Sequence, residues 1–292
     1  MIVRGRLTLT EATWLPALRL APVAPTSDDP PAGRPEYTPI PPGGMTAVAA
    51  RLRAAGCVFA EDEARLLVAE ARTPGELNAS VERRVAGEPL EHVLGWAEFC
   101  GLRVAVEPGV FVPRRRTEFL VREAARLAPP RAVIVDLCCG TGALGAALAA
   151  SVEGAETHAV DIDPAAVRCA RRNTPGAVYQ GDLFAPLPAT LRGRVDILLA
   201  NVPYVPTREI ELMPAEARLH EDRVALDGGP DGLSVLRRVA AEAPQWLAPG
   251  GQLLVEASAA QAPHALTAFT ELAARIARSD EYDATVIVGT ND

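Results

Sequence analysis

The hydrophobic rhythm of the chain changes along its length. Up to residue 44 there is little helical or strand periodicity, and nine prolines occur in stretches such as Asp28-Asp29-Pro30-Pro31-Ala32-Gly33. Such a segment cannot bury enough apolar surface to offset its ordering entropy. A disordered, Pro-rich extension is therefore expected over 1–44, with Met45 as a candidate natural start. From Thr46, apolar residues recur three and four apart: Val48 and Leu52, then Ala64, Leu67, Val68 and Ala71, then Leu77, Val81 and Val85. That spacing predicts amphipathic helices, and Glu61, Asp62 and Glu63 supply an acidic first turn. A helical domain is predicted over 45–95.

Glu98-Phe99 and Leu102 to Val106, placed around Cys100-Gly101, read as a hairpin. Proline-containing loops follow, giving a hairpin and linker over 96–118, and then a helix through Leu127. From residue 131 the pattern alternates, with strands near 133, 157, 177, 195 and 252 and helices starting near 143, 164, 231 and 260. Alternation at this spacing predicts an α/β domain over 119–292. Its sheet should be parallel and doubly wound, with the ligand at the carboxyl ends of the strands.

The chemistry gathers at those ends. Val133-Ile134-Val135-Asp136-Leu137-Cys138-Cys139-Gly140-Thr141-Gly142 is a β-branched strand running into a Gly-x-Gly turn and an Ala-rich helix. Glycines admit a ligand close to the backbone, and the helix start behind them offers free N–H groups. Twenty-one positions after Gly140, Asp161 ends the next strand, where a carboxylate can accept both hydroxyls of a ribose. Asp182 and Asn201 fall at two further strand ends. Asn201-Val202-Pro203-Tyr204 follows an apolar strand and reads either as an ordinary Asn-Pro turn or as a clamp for a flat, conjugated NH2 group. Gly140-x-Gly142-x-x-Gly145 also fits a dinucleotide fingerprint, so a dehydrogenase competes with a nucleoside-bearing methyl donor.

Composition narrows the choice. All 29 Lys+Arg residues are arginine. This removes Schiff-base chemistry, a phosphate-loop lysine and Tyr-Lys dehydrogenases. Asp136 ahead of the glycines favours S-adenosylmethionine, because methyltransferases place an acidic residue there near the methionine portion. The net charge of −8 works against a nucleic-acid partner. Arg114-Arg115-Arg116 reads as a solvated loop. No run of eighteen apolar residues and no signal-peptide pattern is present, so no membrane partner and a cytoplasmic location are expected. Cys57, Cys100, Cys138, Cys139 and Cys169 lack zinc-type pairing with the four histidines, so reduced thiols and no metal are expected.

In combination, Glu88-Pro89-Leu90-Glu91-His92-Val93-Leu94-Gly95, Glu98-Phe99-x-Gly101-Leu102 and Pro113-Arg114-x-x-Thr117-Glu118 resemble the PrmC/HemK family of protein-glutamine methyltransferases. The glycine turn, Asp161, Gly181-Asp182-Leu183-Phe184, the Asn201 to Tyr204 turn and Leu226-Asp227-Gly228-Gly229-x-Asp231-Gly232-Leu233 continue the likeness in order. The resemblance implies a Rossmann-like class I S-adenosylmethionine-dependent methyltransferase with a small helical N-terminal substrate-recognition domain. It implies a cofactor site of Asp136, Cys138, Cys139, Gly140, Thr141, Gly142, Asp161, Asp182, Leu183 and Asn201, and a catalytic set of Asn201, Val202, Pro203 and Tyr204. The implied acceptor is a protein glutamine, the Gly-Gly-Gln loop of a class I peptide release factor. Methylation of an adenine exocyclic amine, or binding without catalysis, are the alternatives. The chain departs from the family pattern at Val202, where proline is usual, at Cys138, where glycine is usual, and at Arg115-Arg116, where Pro-Glu is usual. Val202 keeps its carbonyl but loses a fixed φ. Cys138 is expected in the β region.

Overall fold

The computed structural model describes residues 42–292. Of the expected extension, residues 1–41 lie outside the described residues, and 42–44 open α1 (Pro42–Ala54), three residues ahead of the expected helical boundary. Proline in a first helical turn gives up an N–H that would be unpaired anyway. The low helix propensity of Gly43-Gly44 hides that turn in the sequence. Next come α2 (Ala60–Glu70), α3 (Pro74–Val85) and α4 (Leu90–Leu94). Thr73 caps α3 by accepting the Glu76 N–H at 3.2 Å. Val48, Leu52, Ala64, Leu67, Leu77 and Val81 close one small core, whereas Val85, at the end of the predicted stripe, remains exposed.

Beneath this unit lies a hairpin of β1 (Trp96–Phe99) and β2 (Leu102–Ala105). Its two-residue turn, Cys100 and Gly101, has φ of 50° and 73°, the double left-handed pair that matches strand twist. The α/β unit then runs α5 (Glu118–Leu127), β3 (Val133–Leu137), α6 (Ala143–Ser151), β4 (Glu156–Asp161), α7 (Pro164–Asn173), β5 (Ala177–Gln180), β6 (Val195–Ala200) and α8 (Ala215–His220). It closes with α9 (Ser234–Glu242), β7 (Leu247–Ala257), α10 (Ala262–Leu266), β8 (Ala273–Ser279) and β9 (Ala284–Thr290).

These strands form one sheet in the order β5-β4-β3-β6-β7-β9-β8. The chain leaves β3 toward β4 on one side and returns to β6 on the other, so the switch point falls between the carboxyl ends of β3 and β6. β3 through β7 pair in parallel as expected, but β9 is antiparallel to both neighbours. The β8–β9 pair was not expected from the sequence, because Ala273 to Ser279 is rich in alanine and arginine, residues with more helix than strand preference. Pairing with β9 overrides that preference, and Arg275 and Arg278 guard the edge. Successive residues of β6 serve the two faces. Leu198 packs with Val135 and Val255 on one, and Ile197 and Leu199 with Ile134 and Leu254 on the other.

The helical unit is fastened by a nearly buried ion pair. Arg84 Nε donates to Glu63 Oε2 at 2.7 Å, with side-chain exposures of 11% and 10%, and Arg84 Nη1 reaches Glu216 of α8 at 3.3 Å. Removing one partner of such a pair strands the other charge. Arg84→Met should therefore destabilise the fold by about 3–5 kcal/mol. Arg65→Met, which breaks the exposed pair with Asp62, should cost no more than about 1 kcal/mol. Thermal melts of the two variants side by side test the contrast, and equal shifts would contradict it.

Candidate functional site

Leu137 and Ala200 are paired neighbours at the ends of β3 and β6, so Cys138 and Asn201 emerge side by side at the switch point. Two adjoining cavities open there. The smaller, about 180 Å³, is walled by Cys138, Cys139, Gly140, Thr141 and Asp161 on one side and by Asn201, Val202, Pro203 and Tyr204 on the other. The larger, about 470 Å³, is lined by Asp182, Leu183 and Arg238 and shares Cys138, Asp161 and Pro203 with the first.

Two of the sequence-selected residues line neither cavity. Asp136 lies behind the turn at 1% exposure, where its Oδ2 accepts the Gly145 N–H at 2.9 Å. Burial raises its carboxyl to about 8, against the opposing pull of that N–H. Gly142, at φ 74°, is packed from behind, since a Cβ there would meet Thr174 Oγ1 at 2.4 Å. Both hold the shape of the turn.

Cys138 corrects an expectation. It sits at φ 53°, in the left-handed region and outside the β region. A glycine would adopt this φ freely, whereas a side chain there costs about 1–2 kcal/mol. Cys138 lines both cavities.

Asp161 links the two strand ends on the other flank. Its Oδ2 accepts the Gly140 N–H at 2.8 Å and its Oδ1 the Asp163 N–H at 2.9 Å. Burial raises its pKa, with those two bonds opposing. Asp182 is exposed and paired with Arg238 Nη2 at 2.6 Å. Asn173, at the end of α7, serves three backbone groups at once. Its Oδ1 accepts the Ala105 N–H at 2.9 Å, and its Nδ2 donates to the carbonyls of Ala105 at 2.9 Å and Thr141 at 2.8 Å. One amide thus ties hairpin strand β2 to the glycine turn.

Asn201 Oδ1 is buried and has no hydrogen-bond partner. Around it stand residues that the sequence did not single out as functional. Arg114 and Arg116, expected in a solvated loop, both line the smaller cavity and both pair with buried carboxylates. Arg114 pairs with Glu221, whose side chain is 1% exposed, and Arg116 Nε donates to Glu256 Oε1 at 3.1 Å. Burial raises the pKa of both carboxylates, opposed by these arginines. Arg116 also contacts the Tyr204 hydroxyl, with its guanidinium 5.7 Å from the ring centroid. Glu256 could have been found by the same strand-end reasoning, since it is the lone acid in Leu253-Leu254-Val255-Glu256. Among the described residues no group of three or more His, Cys, Asp and Glu could hold a metal, and no helix is long and apolar enough to cross a membrane.

Residues 101–231 match the family described as Methyltransferase small domain. The release factor glutamine methyltransferase of Geobacter sulfurreducens is 42% identical over 205 residues, covering 68% of this chain and 71% of that protein. The 4-amino-L-phenylalanine/4-methylamino-L-phenylalanine methyltransferase of Streptomyces pristinaespiralis is 35% identical over 237 residues, covering 73% and 77%. Among solved structures, a methyltransferase from Pyrococcus furiosus aligns with a TM-score of 0.50 at 14% identity, over 65% of this chain and 89% of that one, a likeness of fold alone.

The raised pKa of Asp136 has a consequence for stability. A carboxyl at about 8 when folded and near 3.8 when unfolded favours folding fully below the lower value, and that contribution is lost as pH rises through the upper one. Asp136→Asn keeps the acceptor for Gly145 N–H and cannot ionise. Its unfolding free energy should match the parent's near pH 4 and exceed it increasingly toward pH 8, by a difference on the order of a few kcal/mol, with the melting temperature rising in step. A gap independent of pH would refute the assignment.

Proposed function

We propose that this chain, which belongs to the release factor glutamine methyltransferase family, transfers the methyl group of S-adenosylmethionine to the side-chain amide nitrogen of a protein glutamine. The acceptor in this reading is the Gly-Gly-Gln loop of a class I peptide release factor. One observation carries it: the buried Asn201 Oδ1, an acceptor without a donor at the cavity wall. A primary amide brings two N–H donors in one plane. Asn201 Oδ1 takes one, the Val202 carbonyl takes the other, and the Tyr204 ring covers the amide plane while Pro203 fixes the turn between them.

The donor set on the opposite wall fits the cofactor. A carboxylate offers about four lone-pair positions, and Asp161 has given one on each oxygen to backbone N–H groups. One on each remains for the two hydroxyls of a ribose. Cys138, Cys139, Gly140 and Thr141 would border the sugar and methionine portions, with Asp182 and Leu183 toward the adenine. Bound there, S-adenosylmethionine supplies a methyl group on a sulfonium, open to displacement by the amide nitrogen.

That nitrogen is a poor nucleophile, because its lone pair shares the resonance that gives a peptide its ~18–20 kcal/mol rotation barrier. Glu221 and Glu256 are held by arginines and neither lines the cavity, so neither carboxylate is placed to take the amide proton before attack. Orientation is what the residues provide, and holding reacting atoms in line is worth roughly 7–11 kcal/mol. The proton leaves after the methylated nitrogen has become acidic. A second reading, a planar aromatic amine on a small amino acid, is supported by the Streptomyces pristinaespiralis relative, since an aryl NH2 offers the clamp the same two donors. The net charge of −8 speaks against an adenine amine within a nucleic acid.

Purified release factor, incubated with the enzyme and labelled S-adenosylmethionine, should gain one methyl on the loop glutamine by mass spectrometry. Labelling of 4-amino-L-phenylalanine in place of the loop would select the second reading, and labelling of neither would leave a binding protein. Asn201→Ala should reduce turnover more than tenfold, over 1.4 kcal/mol, while cofactor affinity changes little. Asp161→Ala should instead weaken cofactor binding in titration calorimetry, since each bond to a charged acceptor contributes about 1.5–3 kcal/mol. Unchanged affinity in that variant would remove Asp161 from the site.

A further inference from the structure

In the turn Asn201 to Tyr204 only Pro203 has a locked φ. The Val202 N–H has no hydrogen-bond partner among the described residues. The main chain is anchored on either side of it, by the pairing of Ala200 with Leu137 and Val255 before the turn, and after it by Gln261 Nε2 donating to the Tyr204 carbonyl at 2.9 Å and the Val205 N–H donating to Leu226 O at 3.1 Å. None of these bonds reaches the Tyr204 ring, whose hydroxyl meets Arg116.

We propose that Arg116 is a positioning residue: it braces Tyr204 against the end of β7 and thereby holds the 201–204 turn in shape. The kinetic part of the test rests on the methyl-transfer reading above, and the brace itself does not. Arg116 leaves a short helical turn, Arg115–Thr117, and spans two neighbouring strand ends. Its Nε donates to Glu256 of β7 at 3.1 Å, and its Nη2 donates to the hydroxyl of Tyr204 beyond β6. Glu256 is 4% exposed, so the anchor cannot swing. A planar guanidinium satisfies both acceptors at fixed separation, which a lysine ammonium on a flexible stem does not. The brace thus supplies from a side chain the stiffness that a second proline, at 202, would supply from the backbone.

Hydrogen exchange read on peptides covering residues 199–206 tests the brace without any methyl acceptor. Arg116→Met and Arg116→Lys should each quicken exchange of the Val205 amide, which donates to Leu226 O, by about tenfold, while peptides of β4 and β9 stay unchanged. Val202→Pro should change little in the parent and should restore slow exchange in the Arg116→Met background. In the transfer assay Arg116→Met should lower kcat about tenfold with cofactor Kd within about twofold, and Val202→Pro should recover most of that loss. Unaltered exchange in Arg116→Met, or a Val202→Pro effect of the same size in both backgrounds, overturns the brace. If proline at 202 disturbs folding, Arg116→Met and Tyr204→Phe decide instead. Their exchange effects should not add, and additive effects overturn the proposal. A parent enzyme that methylates no glutamine would refute the transfer reading, while exchange still decides the brace.

Discussion

The parallel pairing of β3 with β6 is the constraint on which the rest of the site depends. Ile134 to Leu137 lie against Ile197 to Ala200 in register, across about sixty residues of sequence. Both strands are almost wholly buried, so a slip of one residue would turn Asp136 and Leu199 onto the wrong faces and lose the pairing energy of two cores. With that register set, the glycine turn and the Asn201 turn face each other without help from loops. The two cavities are the space that is left when one connection departs toward β4 and the other toward α8.

Arginine holds the periphery in place at three joints. Arg84 joins α3 to α2 and to α8, Arg114 joins the linker to Glu221, and Arg116 joins it to Glu256. Each joint sets a guanidinium against one carboxylate largely withdrawn from water, Glu63, Glu221 or Glu256, the geometry for which a rigid fork of donors is suited. In a chain whose basic residues are all arginine, none of these joints can be lost by deprotonation in ordinary conditions. Their cost is the desolvation of the acids, visible in the raised pKa values of Glu221 and Glu256.

How much was legible in the sequence follows from the range of each interaction. Strand and helix alternation is local, and it located five of the sheet's strands and the polar residues at four of their ends. Glu256, at the end of β7, is legible by the same rule. The partners of Arg114 and Arg116 lie 107 and 140 residues away, so nothing near the triplet distinguished a brace from a solvated loop. The left-handed φ of Cys138 was masked because its side chain suits an ordinary strand end. β8 was masked because edge pairing with β9, not composition, makes it a strand. In Asp136 and Gly142 the sequence pointed to residues that shape the glycine turn from behind, a distinction that only burial reveals.

Asn173 joins the hairpin and the glycine turn through one side-chain amide. Any coupling carried by that shared tether runs equally in both directions. Whatever free energy an occupant of the turn contributes to ordering β2 is matched, by reciprocity, in the affinity of the turn when a partner orders β2 first. The sequence of arrival then cannot alter the total, and a variant at 173 that uncouples one surface uncouples the other by the same amount.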